Sequence, residues 1–354
     1  MLARLFVLVG GLLVLALTAA LVGPYFVDWT GYRADFEREA SAILGRKVTV
    51  KGDASARLLP FPSVTFTDVT VGADAAKPAM TVEEFSMDAE LAPFMRGEVL
   101  IFDMRLVRPK ATIEVADDGT VDWAVRPSTP FQASNITLEK LTITEGQVKV
   151  HHAASGRDHL LSEINAALSA RALTGPWRVD GTFRLDGKRT ALAASTGTVD
   201  EKGAMHLKLR ANPDAYPVTV ETEGDVRADN GQLRYAGLFK INQDTAGELR
   251  GSDGETFKAK GPRKPEKPEP GFRLAGNFSL DHKKLGIDEC RFETGPRDNP
   301  YTADGKAFVD LGAEPRFAVE ATGAQVRFDE AVAGGAGTLT LEQRLAALER
   351  AFAD

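Results

Sequence analysis

The chain has 354 residues, with 43 Lys+Arg against 50 Asp+Glu for a formal net charge of −7, and 43% hydrophobic against 26% charged residues. These are the proportions of a folded chain, and the acidic balance argues against nucleic-acid binding, which needs clustered Lys and Arg. A single cysteine, Cys290, and only five histidines exclude an internal disulfide and a Cys-based zinc cluster.

Residues 5–23 read LFVLVGGLLVLALTAALVG and carry no charge. At ~1.5 Å per helical residue they nearly cover a ~30 Å hydrocarbon core. Arg4 precedes the run and Asp28 follows it, which puts the N-terminus in the cytoplasm. Tyr25 and Trp29 stand where interfacial aromatics would. A cleaved signal peptide would have an apolar region of about 7–15 residues and a small-x-small end; this run is longer and continues Val22-Gly23-Pro24-Tyr25. The expectation is an uncleaved single-pass anchor over residues 1–27 of a bacterial inner-membrane protein, with the body in the periplasm.

Thr30 can cap a helix running to about Leu44, with Tyr32, Phe36, Ala40, Ile43 and Leu44 on one face and Gly45 as its C′ residue. It can pack on the domain it introduces or lie on the membrane surface. After Gly45 the apolar period falls from 3.6 to 2. It shows in Val48/Val50, Val64/Phe66, Val69/Val71, Ile113/Val115, Ile136/Leu138, Leu141/Ile143 and Val148/Val150. It continues in Val179/Phe183/Leu185, Leu207/Leu209, Val218/Val220, Phe272/Leu274/Phe278/Leu280, Ala307/Val309/Leu311, Phe317/Val319/Ala321 and Val326/Phe328. The runs are separated by turn chemistry: Asp118-Gly119, Glu145-Gly146, Asp186-Gly187, Lys202-Gly203, Asn230-Gly231, Asp253-Gly254 and Asp304-Gly305. The pattern predicts about sixteen short antiparallel strands, each with one apolar and one polar face. Residues 81–95 fit either strand or loop, and residues 159–173 read as strand. Residues 260–271 (KGPRKPEKPEPG) form a charged, proline-rich loop. Gly334, Gly335 and Gly337 make a hinge, and the capping box Thr340/Gln343 opens a helix striped by Leu341, Leu345, Leu348 and Phe352.

Little in the chain points to catalysis. His151 and His152 are adjacent in a strand and so face opposite sides. Cys290 has no base at a recognisable spacing, and Asp117-Asp118-Gly119 with Asp122 reads as a hairpin turn, not a calcium loop. No nucleophile elbow, zinc-protease motif, P-loop or dinucleotide fingerprint occurs. The expectation is a protein that is not an enzyme and uses no cofactor or metal.

An apolar sheet face must be covered. A second sheet, closure into a barrel, or a curled sheet holding an apolar ligand would each do so, and periodicity does not separate them. The order of elements, however, resembles the AsmA family. The matching stretches are the anchor; the amphipathic helix; Leu44-Gly45-Arg46-Lys47-Val48-Thr49-Val50-Lys51-Gly52; Leu58-Leu59-Pro60-Phe61-Pro62-Ser63-Val64; and Asp68-Val69-Thr70-Val71. After them come Leu91-Ala92-Pro93-Phe94, Arg105-Leu106-Val107-Arg108-Pro109, Asp118-Gly119 leading to Asp122-Trp123, and Leu173-Thr174-Gly175-Pro176-Trp177. Leu44 and Asp122 depart from the family's more usual Thr and Asn, and members are usually longer.

The resemblance implies a mainly β fold. A transmembrane helix and an amphipathic helix would precede a long, curled, groove-like antiparallel β-sheet, and a short C-terminal helix would follow it. The expected segments are an anchor (1–27), an AsmA-like β domain (28–259), the proline-rich loop (260–271), a continuation of the sheet (272–333), and the hinge with its C-terminal helix (334–354). It further implies a lipid-transfer role in phospholipid transport to, and homeostasis of, the outer membrane. The partners would be glycerophospholipid in the inner membrane and an envelope protein, with no nucleic acid. The groove lining would then include Val64, Phe66, Phe183, Leu185, Leu207, Leu209, Phe272, Leu274, Phe278 and Phe317. The alternative is an assembly or interaction factor for outer-membrane protein biogenesis that binds no lipid.

Overall fold

The computed structural model describes residues 33–57, 59–73, 77–94, 99–123, 136–172, 175–200, 203–229, 231–243, 271–295 and 300–323, with Thr18 and Gly31. Apart from these two residues and Gly271, the expected anchor, the proline-rich loop and the C-terminal hinge and helix lie outside the described residues. Among the described residues no helix is long and apolar enough to cross a membrane.

Helix α1 (Arg33–Leu44) leads into β1 (Val48–Val50), β2 (Ala54–Arg57), β3 (Ser63–Val71) and β4 (Met80–Ala89). A single turn, α2 (Leu91–Phe94), precedes β5 (Val99–Val107), β6 (Lys110–Val115), β7 (Val121–Asp122), β8 (Ile136–His152) and β9 (Arg157–Ala170). The series goes on through β10 (Trp177–Leu185), β11 (Lys188–Thr196), β12 (Ala204–Pro213), β13 (Val218–Asp229) and β14 (Gln232–Gln243). It ends with β15 (Arg273–Leu280), β16 (Lys284–Thr294), β17 (Tyr301–Asp310) and β18 (Arg316–Gly323).

All eighteen strands belong to one sheet. β1 and β2 lie end to end along β3, β4 and β7 along β6, and β5 and β6 along β8. The strands therefore occupy fifteen rows, and at ~4.8 Å per row the sheet measures roughly 67 Å across. From β8 to β18 each strand pairs antiparallel with the next. The segment between Gln243 and Gly271 leaves no gap in the sheet, because β14 pairs directly with β15 from Tyr235↔Leu280 to Asn242↔Arg273.

The expected all-antiparallel order needs one correction. β5 and β6 both run parallel to β8. A parallel pairing needs a crossover of about a dozen residues or more, and the stretch from Trp123 to Asn135 between β7 and β8 has that length.

Two of the expected turns also lie inside strands. Glu145-Gly146 is a kink in the seventeen-residue β8, with Glu145 at φ 52°. Asp304-Gly305 is in the middle of β17. Each belongs to a different run of irregular positions. One is a line of positive φ: Arg108, Glu145 and Glu163 have it on three successive rows, and Asp68 two rows before Arg108. Ion pairs follow the line: Arg108 joins Glu83 and Glu145, and Arg184 joins Glu163. The other consists of glycines: Gly224 on β13, Gly237 on β14, Gly276 on β15 and Gly305 on β17. A Cβ at these four positions would fall on the carbonyl oxygens of Ala236, Glu223, Glu289 and Glu320 respectively. Strands that approach this closely bend, and the sheet curls toward the glycine side.

Twist brings the curled sheet back onto itself. Rotation of ~20–25° per row accumulates to roughly 140–175° over the seven steps from β8 to β15. The C-terminal tip of β8 thus meets the β15–β16 turn, which lies at the opposite end of the strand register. His152 Nε2–H donates to the His282 carbonyl (2.6 Å). Beside it the β6–β7 hairpin docks on the start of β14: Gln232 Nε2 donates to the Asp118 carbonyl (2.6 Å), and Val121 N to the Gly231 carbonyl (3.1 Å). The side chain of His282 packs where Gly119 has no Cβ.

Gly276→Val should lower stability by about 1–3 kcal/mol, because the added side chain must push a neighbouring strand away. Urea unfolding followed by circular dichroism measures this; an unchanged midpoint would show that the close approach does not shape the sheet.

Candidate functional site

Strand register identifies the side chains that share the inner face. Partners in a ladder point the same way, and alternate residues of a strand do too. Phe66 pairs with Phe85, Phe85 with Leu106, Leu106 with Ile143, Ile143 with Ala166, and Ala166 with Gly181. From Val179 the face passes to Ala194, Leu209, Thr222, Phe239 and Gly276. From Gly276 it passes to Cys290, Gly305 and Ala321. All ten sequence-selected residues lie on this one face. Val64 and Phe66 are on β3, Phe183 and Leu185 on β10, Leu207 and Leu209 on β12, Leu274 and Phe278 on β15, and Phe317 on β18; Phe272 directly precedes β15.

Their surroundings differ along the sheet. At the N-terminal rows α1 lies on the inner face. Phe36, Ala40 and Leu44 pack on a core of Val48, Val50, Phe66, Val69, Val71 and Val82, with the Phe36 and Phe66 rings stacked at 3.9 Å. The helix also closes the edge of β1: Ser41 Oγ accepts from Val48 N (2.8 Å) and Glu37 Oε1 from Val50 N (2.7 Å). A second buried pair, Ile101 and Leu138, packs against Met87, Met104, Leu141 and Trp177.

Beyond these rows no second layer covers the face among the described residues. Phe278 is buried by its own neighbours, with Tyr235 edge-on at 4.8 Å and Phe239 at 6.5 Å. Val64, Phe183, Leu207, Leu209, Phe272 and Leu274 are half-buried. Leu185 is 42% exposed, Phe292 37%, Val319 64% and Phe317 78%. Phe317 lies on the outermost row, and no described pairing joins β18 to another strand beyond β17.

Charge is strongly segregated. At the register-paired positions of the inner face there is no Asp or Glu. The outer face is laced with cross-strand pairs: Lys208–Glu223, Arg210–Glu221, Arg273–Glu293 and Lys306–Glu320. His206 lies there between Asp225 (3.1 Å) and Glu223 (3.4 Å), whose hydrogen bonds hold its pKa above the ordinary 6.5. On the inner face burial raises the Tyr235 phenol, although its hydroxyl also donates to Thr222 Oγ1 (2.7 Å). Among the described residues no three His, Cys, Asp or Glu side chains are placed to share a metal ion. His151 and His152 do face opposite sides: His151 meets Asp158 on the outside and His152 the His282 carbonyl.

The sequence reading did not pick out Tyr235, Phe239, Trp177 or Phe292. A signal for the first two was present in the alternation Leu233/Tyr235/Phe239/Ile241, which Gly237 interrupts.

A family model described as the AsmA family matches residues 1–232. No curated protein and no solved structure matches the chain.

Phe66→Ala should cost about 3–5 kcal/mol, whereas Phe317→Ala should stay within about 0.5 kcal/mol; equal losses in urea melts would show that the open rows are packed like the rows under α1. The raised pKa of His206 favours its protonated form in the folded state. Its stabilisation is therefore complete below about pH 6.5 and fades as pH rises through the raised value. His206→Gln should flatten that part of a plot of urea midpoint against pH.

Proposed function

The chain belongs to the AsmA family, and from that membership we propose that it is an envelope protein, anchored in the inner membrane by residues 1–27, that carries glycerophospholipid toward the outer membrane. The body lies in the periplasm and the N-terminus in the cytoplasm. The observation that carries the reading is the inner face itself: apolar side chains continue across the rows, and beyond α1 many of them, Phe183, Leu185, Leu207, Leu209 and Phe317 among them, stay partly exposed. An acyl chain lying on them gains ~0.8 kcal/mol per methylene removed from water, which is favourable without a specific polar contact. No chemical step is needed. Binding is collective, so no residue is catalytic and no cofactor takes part.

The curl and the charged outer face support this reading. A flat apolar sheet of this size would associate with itself, whereas a curled one shields its apolar side and presents ion pairs to water. A second reading rests on the edge of β18, which no described strand covers and which, with Phe317 and Val319 exposed, could accept a strand from an envelope protein.

A photo-crosslinking residue at Phe183 or Phe278 in cells should capture lipid, and the same probe at Arg184 or Asn277 should not. Capture from the outer positions alone would exclude the groove. Capture of a protein at Phe317, with no lipid at any inner position, would favour the second reading.

A further inference from the structure

The inner face is not uniformly neutral, and its exceptions are grouped. Through the register of all fifteen rows only two permanently charged side chains occupy its paired positions. Arg157 is opposite His152, and Lys188 is opposite Leu185. Both belong to neighbouring hairpin tips at the same end of the strands. Arg157 opens β9 after the short 3₁₀ turn Ala153–Ser155, and Lys188 opens β11 after the Asp186-Gly187 turn. His159, paired with Val150, stands between them on the same face.

Two of the neighbouring carboxylates are already engaged, and a third, Asp214, follows β12 in the turn that carries Tyr216. Asp186 accepts from Leu160 N (3.1 Å) and meets His159 Nδ1 (3.3 Å), and Asp158 is held by Lys149 and His151. Neither Arg157 nor Lys188 makes an ion pair with a carboxylate among the described residues. Lys188 Nζ instead lies over the ring of Tyr216 (5.2 Å from its centroid) and donates to its hydroxyl (3.2 Å). Tyr216 is 56% exposed. Directly inward from this lip come Leu185 and Phe183, the start of the apolar path. The lip therefore offers two cations and an aromatic hydroxyl at the mouth of a face whose register-paired positions carry no acidic side chain. This is the order of charges in an anionic lipid, whose phosphate precedes its acyl chains.

We propose that Lys188, held by Tyr216, binds the phosphate of an anionic glycerophospholipid whose acyl chains run inward over Leu185 and Phe183, and that Arg157, on the neighbouring hairpin tip, adds a second cationic contact at the same lip. The assignment rests on the groove reading and adds a headgroup preference and a place of entry. A guanidinium pairs two phosphate oxygens at once, and an ammonium held by a phenol supplies a second point charge.

The test uses the full chain in detergent micelles, with a photo-crosslinking benzoylphenylalanine replacing Leu207. It is exposed to vesicles holding equal amounts of phosphatidylglycerol and of diacylglycerol with the same acyl chains. Crosslinked phosphatidylglycerol should exceed diacylglycerol by about 3- to 10-fold, the range expected of two exposed charge contacts. R157E/K188E should bring the ratio to about one or below while total capture persists, and R157Q/K188Q should give an intermediate ratio. R178E/K240E, on the outer face, should leave it unchanged. A ratio that R157E/K188E does not alter overturns the lip while leaving the groove standing. Absence of any lipid at Leu207 in the unaltered chain overturns both.

Discussion

Where the sheet curls, a backbone carbonyl occupies the space a Cβ would need. The carbonyl oxygens of Ala236, Glu223, Glu289 and Glu320 stand against Gly224, Gly237, Gly276 and Gly305, and no larger residue fits there without moving a strand. The rest of the architecture follows from that exclusion. Bending at the glycines makes one face concave, and the ordinary strand twist, accumulated over seven rows, carries the tip of β8 to the β15–β16 turn. A few hydrogen bonds at His152, Gln232 and Val121 then hold the curl. Small residues in the middle of the sheet thus determine what its ends can reach.

Curling divides the side chains into two environments. Outside, long charged residues pair across strands; exposed pairs of this kind contribute little stability each but keep the surface soluble. Inside, the apolar residues are in excess of what the fold can bury. The rows under α1 make the larger buried core, where Phe36 stacks on Phe66, and a smaller one surrounds Ile101 and Leu138. Farther along, Phe183, Leu207 and Leu209 remain half-wet. Stability is concentrated at the N-terminal rows, while the later rows are left with apolar area to bury against something else.

Much of this was legible in the sequence, and the gaps have physical causes. A period of two fixes which residues of one strand share a side, so Phe183 with Leu185, or Leu207 with Leu209, could be grouped from the sequence. Whether β10 and β12 turn the same side inward depends on register across bulges, which only the pairing shows. Asp304-Gly305 and Glu145-Gly146 were read as turns because the residues that make turns also make kinks: both need a missing Cβ or a positive φ. β14 escaped notice because Gly237 breaks its apolar alternation and the outward Leu238 blurs the phase. The parallel entry into β8 has no local signal, since it depends on the length of a crossover. The cations of the lip have no local signal either: only the pairing places Arg157 and Lys188 on the apolar side.

The two ends of the sheet are built differently. At one, α1 lends the side chains of Ser41 and Glu37 to the free N–H groups of β1, which blocks strand addition along β1. At the other, no described strand pairs with the outer edge of β18, and every residue of β18 is exposed among the described residues. A sheet capped on one side and open on the other has a direction of growth. Each hairpin added beyond β18 would lengthen the concave path by about 10 Å without disturbing the rows beneath α1. Reach is therefore a variable that duplication of a simple unit can change, independently of how the protein is anchored and of how its first rows are held together.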